Sequence, residues 1–225
     1  MKVFVKSVTV PELYAAIPAP LATLFEGITL PWEVLPKIGA FLKELTEKGL
    51  PGYTKIGEGI LVGENVKIAP TAVIEGVCVI GPGTEIRPGA YLRGNVFCGE
   101  GCVLGNSSEF KNCILFDKVQ APHYNYVGDS ILGFHAHMGA GSICSNLRSD
   151  GKNVVIHGET DYETGLRKIG AFLGDRAEIG CGSVLNPGSV VGPRAAVYPL
   201  TPVRGVVPAD VIVKNDGSFT AREER

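Results

Sequence analysis

From Ile56 onward every sixth residue is apolar: Val62, Ile68, Ile74, Ile80, Ile86, Leu92, Cys98, Leu104, Phe110 and Phe116 follow without a miss. In a chain that is 45% hydrophobic, chance gives such a run on the order of once in ten thousand tries per phase, so the period is a structural signal. A second column, four residues behind the first, holds smaller or β-branched residues: Ile60, Val66, Ala72, Cys78, Thr84, Ala90, Val96, Cys102, Ser108 and Ile114. Large and small residues at fixed spacing suit a prism of three short strands per coil, whose interior narrows at the corners. Glycine often follows the large residue, as at Gly57, Gly63, Gly81, Gly99 and Gly105, and Pro82-Gly83 and Pro88-Gly89 read as turns. Three hexads make one coil of about 18 residues, so positions one coil apart stack at the strand spacing of roughly 4.8 Å.

The ladder resumes at Tyr126, Leu132, Met138 and Cys144, four residues out of register, which predicts a bulge at Pro122-His123-Tyr124-Asn125-Tyr126. A third run follows through Leu173, Ile179, Leu185, Val191, Val197 and Val203. The intervening residues 145–170 are polar and out of pattern, as expected of a loop that leaves the coil and serves function. Upstream, the alternation of Val3, Val5, Val8 and Val10 predicts one or two strands. Trp32, Leu35, Ile38, Leu42 and Leu45 form the stripe of an amphipathic helix over 32–48, opened by Pro31 and closed by Gly49 and Pro51. Pro36 falls early enough for the first turn. Such a helix could cover the open end of a solenoid, whose edge would otherwise recruit another chain. The chain thus divides into a strand and helix cap over 1–52, a β-helix domain over 53–215 with the 145–170 excursion, and a polar tail over 216–225.

Composition narrows the class. The 21 Lys and Arg nearly balance 23 Asp and Glu with no basic block, so neither a nucleic-acid nor a polybasic membrane footprint is expected. Thirty glycines without a collagen triplet fit many tight turns. The cysteines Cys78, Cys98, Cys102, Cys113, Cys144 and Cys181 form no C-x-x-C pair and mostly fall on inward phases, which predicts buried free thiols. With no signal pattern and no apolar run of spanning length, the expected location is the cytoplasm.

Candidate chemistry gathers in the column that the corner glycines share, at Arg87, Arg93, Lys111, Asp117 and His123. Arg93 and Lys111 stand one coil apart, and two cations at strand spacing repel unless solvated or bridged by an anion such as a phosphate. His123, between aromatic residues and Asn125, is a candidate general base as well as a candidate structural histidine.

Those residues resemble a family. The hexad ladder is similar to the hexapeptide acyltransferases, whose fold is an all-β, left-handed parallel β-helix and whose members form trimers. Residues 92–152 resemble, without a gap, the acetyltransferase half of the bifunctional glucosamine-1-phosphate acetyltransferase/N-acetylglucosamine-1-phosphate uridyltransferases. The match is carried by Leu92-Arg93, by Gly105-Asn106 through Glu109-Phe110-Lys111, by His123-x-x-Tyr126-x-Gly128-Asp129, by Gly139-Ala140-Gly141-Ser142, and by Asn146 with Lys152. The resemblance implies that Arg93, Lys111 and Tyr126 hold a sugar 1-phosphate, that Asn146 and Lys152 complete the acceptor site, and that His123 deprotonates the amine that attacks acetyl-CoA. It allots Ala140 to the acetyl-CoA cosubstrate, in a groove between the subunits of a homotrimer, with no metal required. Three departures bear on it. His137 stands at the family's substrate-binding Asn, Cys181 at its Ser on the cofactor side, and the loop after Lys152 is longer, through Glu163-Thr164-Gly165-Leu166-Arg167-Lys168. No G-x-G-T-R phosphate loop occurs, so no uridyltransferase domain is expected here.

Two other classes stay open. His135 and His137 project to one side of a strand and could bind zinc with His123 or His157, as in a γ-carbonic-anhydrase-like enzyme. A non-catalytic β-helix could instead assemble with, or regulate, a sugar-1-phosphate nucleotidyltransferase.

Overall fold

The computed structural model describes residues 8–223, and they form a parallel β-solenoid with a helical segment laid along one side. Each coil presents three short strands. On face 1, Ile60–Gly63, Cys78–Ile80 and Val96–Cys98 stack in parallel, continued by the C-terminal halves of Glu109–Leu115 and Tyr126–Leu132 and by Ala171–Leu173, Ser189–Val191 and Val206–Val207. Face 2 runs through Lys67–Ile68, Glu85–Ile86, Val103–Asn106, Gln120–His123, His137–Met138, Glu178–Ile179, Ala196–Val197 and Val211–Val213. Face 3 carries Val73–Ile74, Tyr91–Leu92, the first halves of Glu109–Leu115 and Tyr126–Leu132, then Ile143–Cys144, Val184–Leu185 and Pro202–Val203. Inward residues such as Ile80, Leu104, Phe110, Leu132, Cys144, Leu173 and Leu185 fill one continuous core.

The expected slip lies elsewhere than at Pro122–Tyr126. Ile60 pairs with Cys78 and Cys78 with Val96, coils of 18 residues, but Val96 pairs with Cys113 and Cys113 with Ser130, coils of 17. The missing residue falls both times at the corner between faces 3 and 1, where Asn112 (φ 47°) and Asp129 (φ 48°) turn in the left-handed region that Asn and Asp tolerate. One long strand therefore runs round each of these corners. The residue that reaches the core is Leu115, while Phe116 points outward; Val127, not Tyr126, restarts the ladder.

The N-terminal segment lies on a flank and not over an end. Pro31–Lys37 is a 3₁₀ turn and Ile38–Lys48 the α-helix; Pro36 has no N–H to donate, so the regular helix begins after it. Val10–Leu13 is a helical turn where a strand was expected from Val8 and Val10, and Val3 and Val5 lie outside the described residues. Leu13, Leu21, Trp32, Val34, Leu35, Ile38 and Leu42 pack against the outward residues of face 1, namely Leu61, Val79, Phe97, Ile114, Phe116, Ile131, Phe172 and Val190. Face 1 is thus apolar on both sides, as a doubly covered parallel sheet requires. The start of the solenoid is not covered by the helix: Ile56, on the antiparallel edge strand Tyr53–Gly57, and Ile68 and Val73 of the first coil stay exposed.

Residues 145–170 leave the coil as expected, but return as a hairpin, Val155–His157 against Asp161–Glu163, that packs on the same flank through Val154, Ile156 and Ile169. Tyr162 meets Trp32 edge-on with ring centroids 5.6 Å apart. The tail is likewise ordered: Phe219–Ala221 pairs antiparallel with Val211–Val213 and closes that end of face 2. No described helix is long and apolar enough to cross a membrane.

Candidate active site

His123, Ala140 and Cys181 follow one another on three successive coils at the corner between faces 2 and 3. Gln120 pairs with His137 and His137 with Glu178; beyond them Gly141 N–H donates to His123 O (3.0 Å) and Gly182 N–H to Ala140 O (2.8 Å). All three residues are exposed, so this column is an accessible edge.

A residue that the spacing passed over holds this corner in place. Asn125 is buried, 3% exposed. Its Oδ1 accepts the His123 N–H (3.1 Å), its own N–H donates to Ser108 Oγ (3.0 Å), and its Nδ2 donates to Gly139 O (2.8 Å) and Ser142 Oγ (3.1 Å). Tyr124, at φ 52°, makes the turn between His123 and Asn125. The signal available in the sequence is the column Ser108, Asn125, Ser142 and Ser183, polar residues on an inward phase, which must be hydrogen-bonded to be buried.

Face 3 gathers the other acceptor candidates. Leu92 pairs with Phe110 and Phe110 with Val127, so Arg93, Lys111 and Gly128 stack on adjacent coils. Arg93 Nη1 donates to Glu109 Oε1 at 2.5 Å and lies over the Tyr91 ring, 5.9 Å from its centroid. The expected repulsion with Lys111 is thus relieved by a carboxylate of the same face. Lys111 makes no ion pair among the described residues.

Beside them Asn146 Nδ2 donates to both Tyr126 Oη (3.1 Å) and Asp129 Oδ2 (2.6 Å), while Asn112 Nδ2 donates to Asp129 Oδ1 (2.9 Å). Burial, with the Asp129 and Glu109 charges, pushes the Tyr126 phenol up, so it keeps its proton. Because Asn146 donates to the phenol oxygen, the phenol proton is free to reach an anion. Gly128 makes this possible, since a Cβ there would stand 2.5 Å from Tyr126 Oη and 2.9 Å from Asn146 Nδ2.

Two predicted residues stand apart. Lys152 is exposed on the excursion, its N–H bonded to Asp150 Oδ1 (3.1 Å). His137 lies on face 2 in a groove of about 620 Å³ with His135, Arg176, Glu178 and Arg194, over which Arg222 donates to Glu178 Oε1 (2.7 Å) and Arg194 O (2.8 Å). Burial pulls the His137 imidazole below its usual range, which Glu178 partly opposes. His157 pairs with Asp161 on the hairpin (2.9 Å), and among the described residues no group of three or more His, Cys, Asp and Glu is arranged to hold a metal ion.

Fold and repeat together define the class: a hexapeptide-repeat β-solenoid. Comparison with known proteins narrows it. The model of the GMPPB C-terminal domain family matches residues 74–164. The "Bifunctional protein GlmU" of Methanococcus maripaludis strain C5 is 34% identical over 156 residues, 67% of this chain and 37% of its own, and that of Methanococcus vannielii is 35% identical over 166, 72% and 40%. A "Bifunctional sugar-1-phosphate nucleotidylyltransferase/acetyltransferase" of Sulfurisphaera tokodaii is 35% identical over 139 residues, covering 56% of this chain and 35% of its own. Among solved structures, WeeI from Acinetobacter baumannii AYE aligns at 21% identity and TM-score 0.38 over 68% of this chain and 57% of its own. The protein resembles the acetyltransferase half of the bifunctional GlmU proteins, and it spans some 37–40% of the length of the Methanococcus relatives.

Proposed function

We propose that the protein is an acetyl-CoA-dependent N-acetyltransferase that acts on an amino-sugar 1-phosphate, such as glucosamine-1-phosphate, in sugar-nucleotide biosynthesis. The observation that carries this reading is the alignment of His123, Ala140 and Cys181 on one accessible corner, with Arg93, Lys111, Tyr126 and Asn146 across the adjoining face.

In this reading acetyl-CoA lies along the Ala140–Cys181 column, which brings its thioester to His123. The acceptor lies across face 3, its phosphate on Arg93, Lys111 and the Tyr126 hydroxyl, with Asn146 completing the site; Lys152, on the excursion, takes no part in it. The His123 imidazole takes a proton from the sugar ammonium. The freed amine forms a bond to the thioester carbonyl carbon, the C–S bond breaks, and the departing CoA thiolate takes the amine's second proton. His137, neutral and on the neighbouring face, stands where a second subunit would close the groove. A homotrimer is supported by the exposed apolar residues Ile143, Val184, Tyr198 and Leu200 along faces 2 and 3, and the cytoplasm is the proposed location.

The test is thiol release from acetyl-CoA on addition of glucosamine-1-phosphate. Wild-type protein should release thiol and His123→Ala should not; release at the wild-type rate from the variant would remove His123 from the role. The chain spans 35–40% of relatives that are bifunctional, one of them a sugar-1-phosphate nucleotidylyltransferase/acetyltransferase, and a second reading is a non-catalytic β-helix that assembles with a sugar-1-phosphate nucleotidyltransferase. That reading predicts no thiol release with any amino-sugar phosphate.

A further inference from the structure

Beyond the phosphate-binding column, one residue further along each coil, lies a pocket that a sugar 1-phosphate leaves unused. Asn112 follows Lys111 and Asp129 follows Gly128, and these two corner residues floor a cavity of about 610 Å³. Its walls come from separate parts of the chain: Leu35 and Pro36 from the N-terminal flank, Leu147 and Leu166 from the two ends of the excursion. Arg167 and Lys168 stand exposed at its rim and make no ion pair among the described residues.

The chemistry of this cavity is mixed in a defined way. The Asp129 carboxylate, 6% exposed, takes one amide proton on each oxygen, from Asn112 and Asn146, and keeps lone pairs for further donors. Asn112 Nδ2 also donates to Leu35 O at 3.4 Å, so floor and wall are tied together. The lone pairs that remain on the carboxylate can accept from the hydroxyls of a ribose. Apolar walls and a guanidinium plane suit a nucleobase, and a second cation suits a second phosphate. The volume is that of a small-molecule site.

The order across face 3 sets the direction of the ligand. The amine end belongs at His123, the anomeric phosphate at Arg93 and Lys111, and the cavity opens on the far side of that phosphate. We propose that the acceptor is a nucleoside diphosphate-linked amino sugar, whose nucleoside occupies the cavity between the N-terminal flank and the 145–170 excursion. This rests on the acetyl-transfer chemistry of the reading above and exchanges its sugar 1-phosphate acceptor for the nucleotide-linked form.

The experiment compares UDP-glucosamine and GDP-glucosamine with glucosamine-1-phosphate as acceptors in the thiol-release assay. A kcat/KM at least about tenfold higher for one of the nucleotide-linked acceptors is expected. In the surface variant R167A/K168A that ratio should fall about fivefold or more, through KM, with an unchanged melting temperature. Equal or better use of glucosamine-1-phosphate would overturn the nucleoside site and leave the acetyl-transfer reading standing. Acetylation of none of the three would overturn both. A preference for a nucleotide that R167A/K168A leaves untouched would also overturn the placement in this cavity.

Discussion

Asn125 Oδ1 accepts the backbone N–H of His123 at 3.1 Å, and through that contact the backbone that carries the exposed imidazole is tied to the solenoid's interior. Asn125 reaches no surface, so it can act on chemistry only by positioning. Asn125→Ser copies the residue found one coil either side, at Ser108 and Ser142, and should fold. It should lower kcat about tenfold or more while leaving both KM values and the pH profile in place. His123→Ala should abolish turnover. A kcat for Asn125→Ser equal to wild type would show that the corner holds without this bond.

Gly128→Ala places a methyl where Tyr126 Oη and Asn146 Nδ2 now lie. The ring must swing off Asn146, which removes a donor from the proposed phosphate site. The acceptor KM should rise about tenfold with little change for acetyl-CoA. Steady-state kinetics with each substrate varied in turn would check this, and an equal rise in both would place Tyr126 outside the acceptor site.

Arg93→Glu would set a second carboxylate beside Glu109, its present partner at 2.5 Å. Loss of the cation and like-charge repulsion act together. The expectation is an acceptor KM raised well above tenfold, roughly 1.4 kcal/mol or more, against a nearly constant KM for acetyl-CoA.

Cysteine chemistry should divide sharply. Burial pushes Cys78, Cys102 and Cys144 up to about 12, whereas Cys181 is exposed. Native protein should therefore react with a thiol reagent at Cys181 and acquire its other labels only on unfolding. If Ala140 and Cys181 flank the cosubstrate, acetyl-CoA should slow that labelling. The raised thiols also tie stability to pH. Above the unfolded thiol value of about 9 the unfolded chain loses protons that the folded chain keeps, so stability should fall as pH rises from 9 towards 12. Urea midpoints at pH 8 and pH 10.5 would measure it.

Phe97, 1% exposed, joins face 1 to the N-terminal flank. Phe97→Ala should cost about 3–5 kcal/mol and open residues 8–48 to proteolysis before the coils themselves.

Much of this was legible in the sequence. The sixfold ladder specified a parallel three-sided repeat, and the expected inward positions from Leu173 to Val203 are core residues. The shortened corners were hidden because Leu115 and Phe116 are both apolar, so the regular phase passed unnoticed onto the wrong one. The shortening matters at the site: a coil of 17 sets His123 beside Ala140, where a coil of 18 would set it beside Gly141. The flank was also written in the chain, in the triplets Cys78-Val79-Ile80, Val96-Phe97-Cys98 and Ala171-Phe172-Leu173. Their middle residues point away from the core and need cover of their own. What no periodicity could supply was that Leu35 and Leu166, distant in the chain, line one pocket.

The covered flank limits how copies of this rod can meet. A closed ring of three requires every copy to offer two different surfaces, one to each neighbour. With face 1 covered by the chain's own helical segment and hairpin, two sides are left, and they share the edge that bears His123, Ala140 and Cys181. Any such ring would therefore bring the edge that carries His123, the proposed base, up against its neighbour, and would couple assembly to the proposed site.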